Sequence, residues 1–133
     1  MTERRVDLVH KTPDGHFEVR FTREEDVVFS VMIGRMVSED ADVLSKLYRD
    51  WETKFGKPYR HVMDIAAYEK DEPDVRKKMQ KNSLGADSPF SRLAVVGGSF
   101  AMRAMFNMYS MVSKAPMKMF ATEEEALVWV RGK

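Results

Sequence analysis

The stretch AVVGGSFAMRAMFNMYSM, residues 94–111, decides the fold class. It opens with small and branched apolar residues, passes two glycines and a serine, and continues as an apolar segment with methionine at every third position. A strand that passes through glycines into a helix is the repeating unit of α/β domains. We therefore predict a short buried strand over residues 92–97 and a helix from Ser99 to about Ser113.

The rest of the chain shows the same alternation of strand and helix after an opening hairpin. The hairpin turns at Thr12-Pro13-Asp14-Gly15, where proline presets φ and glycine accepts a positive φ. Predicted strands that precede helices cover residues 26–34, 59–65, 92–97 and 117–120, and residues 66–73 are predicted as a loop or short turn. Repeated βαβ units form parallel sheets. We predict one α/β domain over residues 1–133, with a mixed, mostly parallel sheet of about six strands, an N-terminal β-hairpin and about four helices.

Composition excludes several classes of function. The 133 residues include 22 Lys and Arg against 21 Asp and Glu, and no basic stripe indicates nucleic-acid binding. The sequence has no cysteine, which excludes disulfides, thiol chemistry and cysteine-ligated zinc. No stretch approaches the ~20 apolar residues of a membrane-spanning helix, and the charged start lacks a signal-peptide core. We expect a soluble, cytoplasmic protein.

The motifs of common enzymes do not occur in the sequence. Neither GxGxxG nor GK[ST] is found, and no nucleophile has a base beside it. The three histidines, His10, His16 and His61, do not come with a third metal ligand at suitable spacing, and zinc requires three or four. We therefore expect neither an enzyme nor a bound cofactor or metal.

The two glycines and the serine after residue 96 have two interpretations. Backbone amides at a helix N-terminus bind anions, and glycines allow close approach. The alternative, which we favour, is a strand-to-helix turn with Ser99 as N-cap. In open α/β sheets ligands bind at the carboxyl ends of strands. The candidate ligand residues are Asp64, Tyr68, Gly97, Gly98, Ser99 and Arg103.

The helix after these glycines is apolar around most of its circumference. At about 100° per residue, one arc of roughly 80° holds its polar residues, apart from Ser113. These are Ser99, Arg103, Asn107, Ser110 and Lys114. A sheet covers only one side of a helix, so the flank with Met102, Phe106 and Tyr109 is covered by neighbouring helices or forms an interface. The interface alternatives are a protein partner and a second copy of the chain.

A further alternative is a pocket between the methionine-rich helix and the sheet, which would carry a small apolar or amphipathic ligand. The basic run Arg76, Lys77, Lys78 and Lys81 lies on a second, weakly anchored predicted helix. It is either a solvated face or a docking surface for an acidic partner or an anionic membrane surface.

Several segments together suggest a family. They are RLAVVGG at residues 92–98 followed by a long helix, the short strand ending at Phe120, and TEEEALVWV at 122–130; Gly34 and Asp64 also fit. This pattern resembles the stage II sporulation AA-like family, whose fold is similar to the STAS domains of anti-sigma-factor antagonists. The resemblance implies a regulatory or binding module with a mixed sheet and four helices, and not an enzyme.

The resemblance also implies where a switch would lie. In the partner-switching STAS antagonists, a serine directly after the strand that ends in Asp is phosphorylated. Here Asp64 is followed by Ile65-Ala66-Ala67, and no hydroxyl occurs before Tyr68. The phosphoserine has no counterpart in this sequence. We therefore expect a non-catalytic module that acts through protein contact without that switch.

Overall fold

The computed structural model describes residues 5–132, in which strands and helices alternate as predicted. The strands are β1 (Leu8–Lys11), β2 (Phe17–Glu24), β3 (Val27–Met36), β4 (Tyr59–Asp71), β5 (Phe90–Val96) and β6 (Met117–Phe120). The helices are α1 (Ser38–Phe55), α2 (Pro73–Asn82), α3 (Phe100–Val112) and α4 (Glu123–Arg131). None of these helices is long and apolar enough to cross a bilayer.

The six strands form one sheet in the order of the sequence. β1, β2 and β3 pair antiparallel, whereas β3, β4, β5 and β6 pair parallel. The first hairpin closes as predicted, since the Gly15 N–H donates to the Thr12 carbonyl at 2.9 Å. The prediction of a mixed, mostly parallel sheet with an N-terminal hairpin is confirmed.

The helices divide unequally between the two faces of the sheet. Side chains of α1, α2 and α3 pack into the larger core, together with strand residues such as Phe17, Met32 and Met63. The opposite face is covered by α4, whose Ala126 and Val130 form a smaller core with β3, β4 and β5. α3 therefore belongs to a layer of three helices on one face.

β4 is longer than predicted. The loop prediction is wrong over residues 66–71, because this segment continues along β3 through two register shifts. Its pairs include Tyr68 with Gly34 and Asp71 with Met36. The neighbouring strand thus supplies hydrogen-bond partners for the backbone amides and carbonyls of this segment. As a result, Asp71 ends β4 in the sheet, beneath the helix layer.

Candidate functional site

The turn from β5 into α3 lies against the middle of β4. Gly97 and Gly98 have φ angles of 83° and 93°, in the region that favours glycine. A Cβ on Gly98 would lie 2.8 Å from Ile65 Cδ1, and one on Gly97 would lie 3.2 Å from Ala66 Cβ. The glycines are therefore explained by close packing of this turn on β4.

The polar groups at the start of α3 bond within the chain. Ser99 Oγ accepts a hydrogen bond from the Met102 N–H at 3.2 Å, which is the geometry of an N-cap. Arg103 Nη1 donates to the carbonyls of Gly97 and Phe120, both at 3.4 Å. These contacts agree with the strand-to-helix interpretation. A ligand role for the same residues stays a prediction.

Asp64 lies beside this turn, whereas Tyr68 does not. Asp64 pairs in register with Val96, is partly exposed, and accepts the Ala66 N–H at 2.9 Å through Oδ1. Tyr68 is only 3% exposed, and its ring meets Phe17 edge-on with 6.4 Å between centroids. The structure therefore brings Asp64, but not Tyr68, to the α3 N-terminus, because the register shifts in β4 turn Tyr68 towards the core.

The predicted interface residues of α3 lie in the core. Met102 is 6% exposed, and Phe106 and Tyr109 are each 2% exposed. They pack into the larger core between α3 and the sheet. Of the two alternatives left open for this flank, the structure shows burial within the chain and not an exposed interface, because these side chains are the ones that α3 turns to the sheet.

The opposite flank of α3 is apolar and open to solvent. Phe100 is 89% exposed, Met111 84%, Met108 67% and Val112 55%. At about 100° per residue these four side chains lie within an arc of about 120°. We call them the α3 apolar face. Sequence periodicity shows that such a face exists, but not which flank remains in water.

A buried carboxyl group joins α3 to the end of β4. Asp71 is 2% exposed, and the Tyr109 hydroxyl donates to its Oδ2 at 2.6 Å. Burial raises the pKa of Asp71 to about 6, although the Tyr109 hydrogen bond and the charge of Arg76 both act to lower it. The sequence did not indicate this pair, because Asp71 was predicted to lie in a loop.

The exposed cations of α2 lie in the same helix layer as α3. The Lys114 N–H, just beyond α3, donates to the Leu84 carbonyl, just beyond α2, at 2.8 Å. Lys78 is bound to Asp42, with 2.8 Å between Nζ and Oδ2. The remaining members of the basic run, Arg76, Lys77 and Lys81, are exposed.

The histidines have structural environments. His61 is buried, its Nε2 lies 2.7 Å from Ser30 Oγ, and burial lowers its pKa to about 3. His16 lies between Asp40, 2.7 Å from its Nε2, and Asp14, and these contacts raise its pKa. Across residues 5–132, no group of three or more potential His, Cys, Asp or Glu ligands is placed to hold a metal ion.

A shallow cavity of about 250 Å³ lies at the other end of the sheet, near the start of β4. Phe55, Lys57 and Arg60 are among the residues that line it. It is therefore not the predicted pocket between α3 and the sheet.

Fold and sequence comparisons agree on the class of protein. The six-stranded mixed sheet with its four helices is a SpoIIAA-like fold, and the model of the SpoIIAA-like family matches residues 27–131. The chain belongs to the SpoIIAA-like family. None of the curated proteins matches the sequence.

Solved structures share the fold at low sequence identity. One is a protein of the DUF3478 family with a SpoIIAA-like fold from Shewanella loihica PV-4, with 16% identity, a TM-score of 0.64 and 98% of each chain covered. An anti-sigma factor antagonist from Mycobacterium paratuberculosis gives 16% identity and a TM-score of 0.60, covering 92% of this chain and 100% of that one. The anti-sigma factor antagonist SpoIIAA in its unphosphorylated form has 17% identity and a TM-score of 0.56. The match covers 88% of this chain and 99% of that one.

Proposed function

We propose that the protein is a non-catalytic regulatory module that binds a protein partner through the α3 apolar face, without a phosphoserine switch. The observation that carries the proposal is the exposure of Phe100 and Met111 on a helix whose other side is sealed in the core. Exposed apolar patches of this kind mark interaction sites. Family membership and the fold shared with anti-sigma factor antagonists support a role in regulation.

The charges on α3 and at its C-terminal end indicate the chemistry of the partner. α3 contains one charged residue, Arg103, and no Asp or Glu, and Lys114 follows it. The exposed cations of α2 belong to the same layer of helices. Complementary charge directs association and excludes wrong partners. The partner that fits is an amphipathic helix with an apolar stripe bordered by acidic residues.

Two synthetic peptides test this proposal. One is an amphipathic helix with a leucine face and glutamate flanks, and the other has lysine flanks instead. We expect saturable binding of the glutamate peptide, at least about tenfold tighter than that of the lysine peptide at low salt. The measurement is a fluorescence anisotropy titration at two salt concentrations.

Matched variants locate the binding surface. Phe100→Ser with Met111→Ser removes apolar area from the α3 apolar face, and we expect loss of peptide binding. Asn107→Ser, on the polar arc of the same helix, is the control and should bind like the wild type. Equal binding of both peptides, or full binding by the double variant, contradicts the proposal.

Other occupants of the face have different signatures. Concentration-dependent dimers in light scattering that disappear in the double variant would assign the face to a second copy. Flotation with anionic phospholipid vesicles, also lost in the double variant, would assign it to a membrane surface. An apolar adduct in native mass spectrometry of protein from its host would favour the carrier alternative. Each of these results overturns the acidic-helix proposal.

A further inference from the structure

We propose that Asp71 is a proton-controlled latch for α3. The helix is held on the sheet when the carboxyl group is protonated, and it opens more readily when the group is ionised. The regulatory meaning of the latch rests on the proposed function, because α3 carries the docking face. The latch itself is a property of the free protein and is measured without a partner.

Asp71 lies where β4 ends beneath the helix layer. It pairs with Met36 of β3, and its carboxyl group accepts the Tyr109 hydrogen bond from α3. The titratable groups that interact with it from the other packed helices are Arg76 of α2 and Tyr48 of α1. Arg76 is exposed, whereas Tyr48 is fully buried and uncharged. The carboxyl group is therefore shielded from water, and the Tyr109 hydroxyl is the side-chain donor that contacts it.

A carboxylate in this position is costly, and the cost depends on pH. Burial disfavours the charged form, and here it outweighs both the Tyr109 hydrogen bond and the attraction of Arg76. When α3 opens, water reaches Asp71 and its pKa returns towards the ordinary 3.8. The closed helix thus binds the proton more tightly than the open one. By linkage, protonation stabilises the closed form, and this stabilisation is lost as pH rises through about 6.

α3 is the element that this latch can release. Its outer flank is in water, and the Arg103 bonds to the carbonyls of Gly97 and Phe120 are long, at 3.4 Å. The hydrogen bond from the Tyr109 hydroxyl to the Asp71 carboxyl group is much shorter, at 2.6 Å. A change in the charge of Asp71 therefore acts directly on how α3 is held.

Hydrogen exchange across pH tests the latch. After correction for the intrinsic exchange rate, we expect the opening constant of α3 amides to rise up to about 100-fold between pH 4 and pH 8, because two pKa units separate the closed and open forms. Amides in the centre of β2 serve as the internal reference. Carbon-13 NMR of the Asp71 carboxyl group should give a titration midpoint near pH 6.

Three variants separate the latch from a merely structural contact. Asp71→Asn keeps an acceptor for Tyr109 but cannot ionise, so α3 opening should become independent of pH. Tyr109→Phe removes a bond that lowers the pKa of Asp71, so the NMR midpoint should move upward. Glu69→Gln, an exposed position on β4, is the control and should retain the wild-type pH dependence.

The proposal is overturned if Asp71 titrates near 3.8, if α3 opens equally at pH 4 and pH 8, or if Asp71→Asn keeps the dependence. Because the carboxyl titration is recorded on the wild type, a variant that fails to fold does not remove the test. None of these measurements involves the peptides, so failure of the docking proposal and failure of the latch are distinguishable.

Discussion

The two sides of α3 are both apolar, but one side is buried and the other is exposed to solvent. Phe106 and Tyr109 are sealed against the sheet, whereas Phe100 and Met111 are almost fully in water. The composition of a helix shows how much of its surface is apolar. Which part of that surface is buried depends on the side that packs against the sheet. Burying a large apolar side chain contributes about 1.5–3 kcal/mol, a gain that the outer side forgoes. We infer that the outer side is kept apolar for contact and the inner side for stability.

The largest effect should come from the inner side. Phe106→Ala removes a ring that is 2% exposed and leaves a cavity under α3. We expect the free energy of unfolding to fall by about 3–5 kcal/mol, measured by urea denaturation. A loss below about 1 kcal/mol would show that the inner side of α3 is not part of the core and would break the comparison.

Asp71→Asn, also beneath α3, should raise the free energy of unfolding at high pH, whereas Phe106→Ala should lower it. Since the pKa of Asp71 is raised to about 6 from 3.8, wild-type stability falls as pH rises between these values. The variant should match the wild type near pH 4 and exceed it by about 3 kcal/mol at pH 8, assuming full burial. Urea denaturation at both pH values measures this. Lower stability of the variant at pH 8 would contradict the assignment.

The start of α3 should give a smaller effect. Ser99→Ala removes the side chain that caps the helix through the Met102 N–H, and we expect a loss of about 1 kcal/mol. Ser99→Asp preserves a capping oxygen and should recover most of it. If both variants are equally destabilised, the cap does not hold α3.

The outer side should give the smallest effect on stability. Met111→Ser and Phe100→Ser change side chains that are 84% and 89% exposed, so the free energy of unfolding should stay within about 0.5 kcal/mol of the wild type. Thermal denaturation checks this. A large loss would mean that these side chains are buried in the folded protein, and the two sides of α3 would no longer differ.

Local signals in the sequence predicted much of the fold. The turn at Gly15 and the cap at Ser99 each involve residues close in the chain, and the structure contains both. The turn at Gly97 and Gly98 was also placed correctly. These features depend on backbone geometry and neighbouring side chains alone, which a single sequence reveals.

Non-local features could not be predicted in the same way. The continuation of β4 to Asp71 depends on β3 running alongside it through two register shifts. The burial of Met102 rather than Met108 depends on which flank of α3 faces the sheet. Both outcomes are decided by elements distant in the chain. The Asp71–Tyr109 pair, which joins two such elements, therefore had no signal in the sequence.

The paired glycines before α3 have a consequence for evolution of the surface. Adjacent glycines are often regarded as a loose hinge, but Ile65 and Ala66 fill the space around these two. The turn is therefore closely packed against β4, and this packing sets the direction in which α3 leaves the sheet. A saturation library at both positions should return glycine almost exclusively. A tolerated substitution would have to change the direction in which α3 leaves the sheet, and the set of side chains that the helix exposes would change with it.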